Sequence, residues 1–411
     1  MTLRFRSFQG TAGFPVVALT LLVLLAQSGA PSPLYPVYQA EWNLSPFQIT
    51  SVFAVYVIGL LITLITFGAL SDHIGRRPVI IAASIIAIGG LVVFATATNV
   101  TDLLVARALQ GASVGTATGA LGAALIDLTP PGRPRLAALL NGVVPPTALT
   151  VGSLSSGFLV QFAPNPTATV FVVFIALIAV AAVLVAFLPE RGGRRPGALA
   201  SLAPTVAIPR AARRVFGAVV GCMISSWALA GLYLALGPTV VVSLLHLQSH
   251  VAGGFAVAAL TGTGALTGLV IQRADALRSM IVGAIALVVG PVLTVISLEL
   301  DSTWGFFAST IIAGIGFGAA FQSALRLLLA IAPVEGRAGL LSTVYLISYT
   351  AFGLPSIAAG LLVPSVGLLD VVLGYAALVA LLALIALVLQ FFLGRNRAVE
   401  RAAGRRESAV A

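Results

Sequence analysis

In the stretch GALSDHIGRRP, residues 68–78, Asp72, His73, Arg76 and Arg77 fall within six positions, although Asp, Glu and Arg make up only 8% of the 411 residues. A carboxylate and two guanidiniums on a tight turn can form ion pairs in one arrangement and break them in another. Gly68 and Gly75 permit close backbone approach or positive φ, and Pro78 suits the first turn of a following helix. Asp72 can face the positive end of a neighbouring helix, while Arg76 and Arg77 can reach Asp127 at the end of a later apolar run. The chemistry is that of a conformational latch. The plainer alternative, arginines that only set orientation, leaves Asp72 without a role.

Two further cations, Arg107 and Arg326, lie inside long apolar runs, where ionisable groups usually mark function. Arg107 presents a planar fork of donors suited to an anion or a paired acceptor. Asp102, one helical turn and a residue away, is a candidate partner for Arg107, a proton acceptor, or a helix cap. Arg326 lies near an inner helix end, where snorkelling competes with function. Gln27, Tyr56, Gln110, Asn141, Trp227, Tyr233, Gln322, Tyr345 and Tyr349 are polar or aromatic candidates for lining a cavity. His246 and His250 share a spacing of four without further ligands nearby, so no metal is assigned. The chain has no lysine, which excludes a phosphate-cradling loop of the GK[ST] type. Neither a catalytic cluster nor a cofactor motif is visible, and an enzyme is not expected.

The elements that must carry these residues follow from composition. The chain is 59% hydrophobic with a mean hydropathy of +1.10, whereas soluble chains carry roughly 25% charged residues. Lipid is the solvent. About 20 apolar residues cross a bilayer as a helix, and twelve such windows occur: 14–36, 47–70, 78–98, 101–127, 136–162, 167–188, 215–239, 251–271, 278–298, 304–331, 338–363 and 367–393. Continuous apolar runs favour helices over the alternating strands of a barrel. The N-terminus, MTLRFR followed by an apolar run and AQSGA, mimics a secretory signal, but eleven later spans argue for an uncleaved first helix. The single Cys222 excludes an intrachain disulfide.

All 22 basic residues are arginine, and they alternate by connection. Arg4, Arg6, Arg76, Arg77, Arg133, Arg135, the linker arginines from Arg191 to Arg214, Arg273, Arg278, Arg337 and the tail from Arg395 to Arg406 share one side; the connections on the other side carry none. Arginine-rich loops stay cytoplasmic, which places both termini and the central linker there. The net charge of +10 reflects this pattern plus attraction to anionic headgroups; no segment is long enough to fold a nucleic-acid-binding face.

Residues 189–214 form the longest polar connection and divide the spans six and six. A shift of 203 positions lays Asp72 on Asp275 and Gly157 on Gly360, an internal duplication of the kind found in secondary transporters. The expected units are an N-terminal six-helix half (1–188), a cytoplasmic linker (189–214), a C-terminal six-helix half (215–394) and a cytoplasmic tail (395–411). In the second half the loop reads IQRADALRS, keeping Asp275 and Arg278 but neither glycine, a weaker latch.

GALSDHIGRRP, through Gly68, Leu70, Ser71, Asp72, Gly75, Arg76 and Arg77, resembles the loop signature of the major facilitator superfamily, and Arg107, Gln110 and Gly111 resemble its R-x-x-Q-G element. With the twelve spans and the linker, the resemblance covers nearly the whole chain. It implies an all-α membrane protein of twelve transmembrane helices in two six-helix bundles related by a pseudo-two-fold axis. It also implies that Asp72 closes the cytoplasmic side against span 11. Two departures weaken an export reading. The first span carries Gln27 where many drug–proton antiporters of this superfamily have a carboxylate. The span-5 antiporter signature is reduced to GSLSSG, with Ser153 for its proline and Ser156 for a glycine.

The function expected is alternating-access transport of a small neutral or anionic amphipathic compound, coupled to protons, in a bacterial inner membrane by a monomer in the bilayer. Efflux stands slightly ahead of metabolite uptake. The rival class is a non-transporting receptor or assembly factor on the same scaffold, which would not need an intact latch.

Overall fold

The computed structural model describes residues 13–133, 135–190, 196–203, 206–333 and 336–410, with backbone alone at 338 and 392–410. The topology arginines Arg4, Arg6, Arg191, Arg194, Arg195 and those of the tail therefore lie outside the described side chains. The helices are α1 (Gly13–Ala26), α2 (Tyr35–Trp42), α3 (Pro46–Phe67), α4 (Ser71–Ile74), α5 (Arg76–Ala95), α6 (Val100–Asp127), α7 (Leu136–Phe162) and α8 (Pro166–Ala186), followed by α9 (Arg213–Ser243), α10 (His250–Val270), α11 (Ala276–Glu299), α12 (Thr303–Ile331), α13 (Arg337–Val366) and α14 (Leu368–Val410). Among the described residues, eleven helices are long and apolar enough to span a membrane, and α1 is shorter.

Local chemistry sets many of these boundaries. Ser45 and Gln48 form a reciprocal capping box at the start of α3. Asn99 accepts from the Thr101 and Asp102 amides at the start of α6, and Ser249 and Ser302 cap α10 and α12. Asp275, expected as part of a second latch, instead accepts from the Arg278 backbone amide at 2.9 Å and caps α11.

The first apolar window is corrected. A single span over 14–36 was expected, but helix α1 ends at Ala26. At about 1.5 Å per residue, its 14 residues fall short of the ~30 Å hydrocarbon. A turn over 27–31, a short 3-10 turn at Ser32–Leu34, and then α2 complete the path. Gly29 and the prolines 31, 33 and 36 explain the break, since proline lacks the N–H that a helix interior requires.

Small residues let the other helices meet closely, as lipid-embedded packing favours. The Gly111, Gly115 and Gly119 stripe of α6 lies against the α3 backbone, where an added Cβ would strike Tyr56, Leu60 and Gly68 carbonyls. Gly264 of α10 and Gly314 and Gly318 of α12 interlock likewise. One buried core joins residues of α1 through α8, and a second joins α9 through α14 and reaches across to Phe53, Tyr56 and Val57 of α3.

The halves meet where α3 lies on α13 and α7 on α10. Near the middle of α3 and α13 Val57 touches Gly353, and toward the helix ends carrying no arginine Thr50 touches Gly360. There too Gly157 lies against Gly254, and Gln161 accepts from the His250 amide at 2.9 Å. Gln39 of α2 accepts from Thr239 of α9 at 3.0 Å on the same side.

Candidate functional site

Where α1 ends, the carbonyls of residues 27–30 lose the amides a continued helix would bring four residues on, although Gln27 O and Gly29 O keep turn bonds from Ala30 N and Ser32 N. Side chains from α6 and α7 bind all four. Gln110 Nε2 donates to the Gln27 carbonyl at 2.8 Å. Arg107 Nη1 donates to Ser28 O at 3.1 Å, Ser153 Oγ to Gly29 O at 3.2 Å, and Ser156 Oγ to Ala30 O at 2.5 Å. Gly152 has no Cβ to collide with the Ala26 carbonyl, so α7 can lie directly on the broken end. Four consecutive carbonyls are thus held by four side chains. Buried carbonyls need such partners.

Arg107 is fully buried. Besides Ser28 O it donates from Nη1 to Gln110 Oε1 at 2.5 Å, and from Nε and Nη2 to the Tyr35 hydroxyl, the Nε bond being 3.1 Å. Its guanidinium carbon lies 5.6 Å from the Tyr35 ring centre, 5.2 Å from Tyr56 and 6.0 Å from Phe94, within cation–π range. The cation is therefore enclosed by protein partners. Asp102 is not among them: its carboxylate accepts from Thr98 N at 2.8 Å, Thr98 Oγ1 at 3.0 Å and Asn99 Nδ2 at 3.0 Å, at the exposed start of α6. In this structure Asp102 serves as a helix cap. Tyr35, the main partner of Arg107, was missed because it was read as the end of a continuous span.

At the other end of the first half, Asp72 pairs with Arg76 on the same turn, and Arg76 Nε also donates to Asp127 at 3.2 Å and Nη1 to Ser71 at 2.8 Å. Gly75 adopts φ 103°, the left-handed region that glycine tolerates, and Gly68 packs its backbone on Gly119. Arg77 contributes its backbone amide: Glu190 accepts from Arg76 N and Arg77 N, both at 3.0 Å. A carboxylate at the start of α5 is well placed for the helix dipole. Sequence reading missed Glu190, since its partners lie more than a hundred residues away. The ion pair of Asp72 stays within its own half.

The other candidates divide into two sets. Arg326 donates to Ile271 O at 2.9 Å and Ala274 O at 3.0 Å, capping the end of α10. Tyr233 bonds Thr310 within the second half at 2.7 Å, Asn141 donates to Gly122 O at 3.3 Å, and the buried Gln27 amide has no partner on either atom among the described residues. His246 occupies a left-handed turn after α9, and His250 begins α10. Trp227, Tyr345 and Tyr349, in contrast, come together at the face toward the first half, and Gln322 bonds to that half separately. Trp227 lies 4.7 Å from Tyr349, Tyr345 lies 6.3 Å from Tyr349, and Gln322 donates to Gly142 O of α7 at 3.3 Å.

The sequence profile described as Major Facilitator Superfamily matches residues 17–297. The chain belongs to the major facilitator superfamily. Over 139 residues it is 33% identical to a protein named multidrug resistance protein MdtL from Citrobacter koseri, covering 32% of this chain and 36% of that protein. A protein of the same name from Vibrio parahaemolyticus is 28% identical over 123 residues, 29% of this chain and 31% of that protein. The alignments thus span about a third of these relatives' length. Among solved structures, the nucleoside transporter NupG, crystallised as a point mutant, superposes with a TM-score of 0.70 at 13% identity, over 91% of this chain and 98% of that one. At that identity the likeness is one of fold. Membership of the superfamily and the helices described make this a multi-pass membrane protein with the superfamily's fold.

Proposed function

We propose that this superfamily member is a secondary transporter that expels a small amphipathic compound, neutral or anionic, from a bacterial cell by alternating access. The observation that carries the reading is a pair of helical halves that meet along a seam, with the charged turn of the first half bonded within that half. The halves touch through Thr50–Gly360, Gly157–Gly254 and Gln161–His250 toward one side, while the charged turn on the other side holds Asp72 by Arg76 of its own half. In this reading the arginine-bearing side is cytoplasmic, as are both termini. Residues 1–188 and 215–394 rock about a central site as two halves, and one chain is the working unit. The name multidrug resistance protein on relatives from two bacteria favours export and an inner-membrane location.

Protons are the proposed coupling ion, by resemblance to the superfamily. Carboxylates available to them lie at helix ends, among them Asp72 and Asp127 in the first half and Asp275, Glu299 and Asp370 in the second. The experiment is solute movement by the purified protein in proteoliposomes, across a panel of amphipathic compounds, with and without an imposed pH gradient. Transport that ignores the gradient removes the proton. A folded protein that moves no solute replaces the reading with a non-transporting receptor.

A further inference from the structure

The charge distribution within the spans narrows the substrate. Both cations within the spans are engaged by the protein itself: the buried Arg107 makes four hydrogen bonds inside a box of three rings, and the partly exposed Arg326 is bound to two carbonyls. An anion entering between the halves finds neither guanidinium free of a partner. No Asp or Glu lies near the middle of any span, so a cation finds no counter-charge.

What faces the first half instead is aromatic. The Trp227 indole is met by Phe321, Tyr349 and Phe352 at centroid distances of 5.3, 4.7 and 5.5 Å, each nearly edge-on at interplanar angles of 80°, 62° and 84°. Phe53 of α3 joins the cluster from the other half, 4.8 Å from Phe352. The cluster is only half-buried at Trp227, Phe321, Tyr345 and Tyr349, in spans where fully buried side chains are common. Within it, the Trp227 Nε1 donor is buried and has no hydrogen-bond partner among the described residues. Buried indole N–H groups usually find one.

We propose that this cluster is the substrate subsite, and that it takes a small, neutral, planar aromatic molecule whose hydrogen-bond acceptor meets the Trp227 N–H. Edge-to-face contacts favour a flat ring slid among the existing ones. An analogue without an acceptor leaves the indole donor unpaired, so the site discriminates by that one bond. This rests on the transport reading above and gives it a substrate class.

The test uses full-length protein in lipid nanodiscs, with empty nanodiscs as the control. Radiolabelled coumarin, neutral and flat with a carbonyl acceptor, is compared by equilibrium dialysis with naphthalene, which has the ring but no acceptor. Competition by 1-naphthalenesulfonate and by tetraphenylphosphonium covers the anionic and cationic alternatives. Coumarin is expected to bind about five- to tenfold more tightly than naphthalene, the effect of one neutral hydrogen bond. Trp227→Phe, which keeps a ring and removes the donor, is expected to erase that preference while naphthalene binding persists. Should Trp227→Phe fail to fold, the comparison of the two probes on the unaltered protein still decides. Equal binding of coumarin and naphthalene overturns the proposal, as does an undiminished coumarin preference in a folded Trp227→Phe protein or stronger binding of either charged probe. Coumarin binding as expected, in a protein that moves no solute, would instead overturn the transport reading and leave the subsite standing.

Discussion

Arg107 donates to the carbonyl of Ser28 at 3.1 Å, a carbonyl that a continuous first helix would have given to the amide of Ser32. That amide turns to Gly29 O instead. The arginine therefore replaces a missing turn of helix, and its neighbours Gln110, Ser153 and Ser156 do the same for the carbonyls on either side.

Removing Arg107 should then cost both fold and function. Arg107→Ala leaves the Tyr35 hydroxyl and Ser28 O buried without their donor, at about 1–3 kcal/mol for each orphaned group. Loss of transport with an apparent Tm lowered by several degrees in detergent is the expected result. Arg107→Lys keeps the charge without the fork and should retain only a small fraction of the rate. Full transport by Arg107→Ala would reduce this side chain to packing.

Ser156→Ala isolates one strand of the same arrangement. It deletes the donor to Ala30 O while leaving a small side chain against α1, and should destabilise by about 0.5–2 kcal/mol, the range for polar bonds between helices in lipid. Combining it with Gln110→Leu should lower the apparent Tm by less or more than the sum, because both hold one short segment. Strict additivity would show that the carbonyls are held independently.

Asp72→Asn keeps shape and removes the charge that pairs with Arg76. Transport should slow strongly, with membrane insertion unchanged by reporter fusion or protease protection. A wild-type rate in a correctly inserted Asp72→Asn protein would end the latch role.

Asp102→Asn should leave the pH dependence of transport where it was, since the carboxylate serves as an exposed cap bound to Thr98 and Asn99, and asparagine can accept the same bonds. A flattened pH profile would make Asp102 a proton carrier after all.

Orientation can be checked at two positions. Reporter fusions at Arg195 and near Leu247 should report opposite compartments; the same compartment at both would refute the twelve-span arrangement.

The sequence made the spans, the charged turn and the burial of Arg107 legible, because apolar length and rare charge are local properties. The break after Ala26 was not legible in the same way. Hydropathy counts side chains, and Leu34, Tyr35 and their proline neighbours pass as an apolar run while the backbone bonds fail. With the break hidden, Tyr35 could not be proposed as the partner of Arg107, and Ser153 and Ser156 looked like decay of an antiporter signature. In the structure they are donors that the broken helix requires. Glu190 was illegible for another reason: only folding brings the first residues of the linker to the amides of Arg76 and Arg77.

The linker is fastened at both ends. His73 meets the Pro196 carbonyl at 3.1 Å on the first half, and Ala207 exchanges backbone and side-chain bonds with Gly339 and Thr343 of α13 on the second, each at 3.3 Å. The eleven residue steps between Pro196 and Ala207 can extend to no more than about 36–40 Å. This segment is a leash of fixed length, and while both knots hold it caps how widely the arginine-bearing side can gape. Shortening it would narrow the swing, and loosening either knot would lengthen it, without altering a residue of the central site.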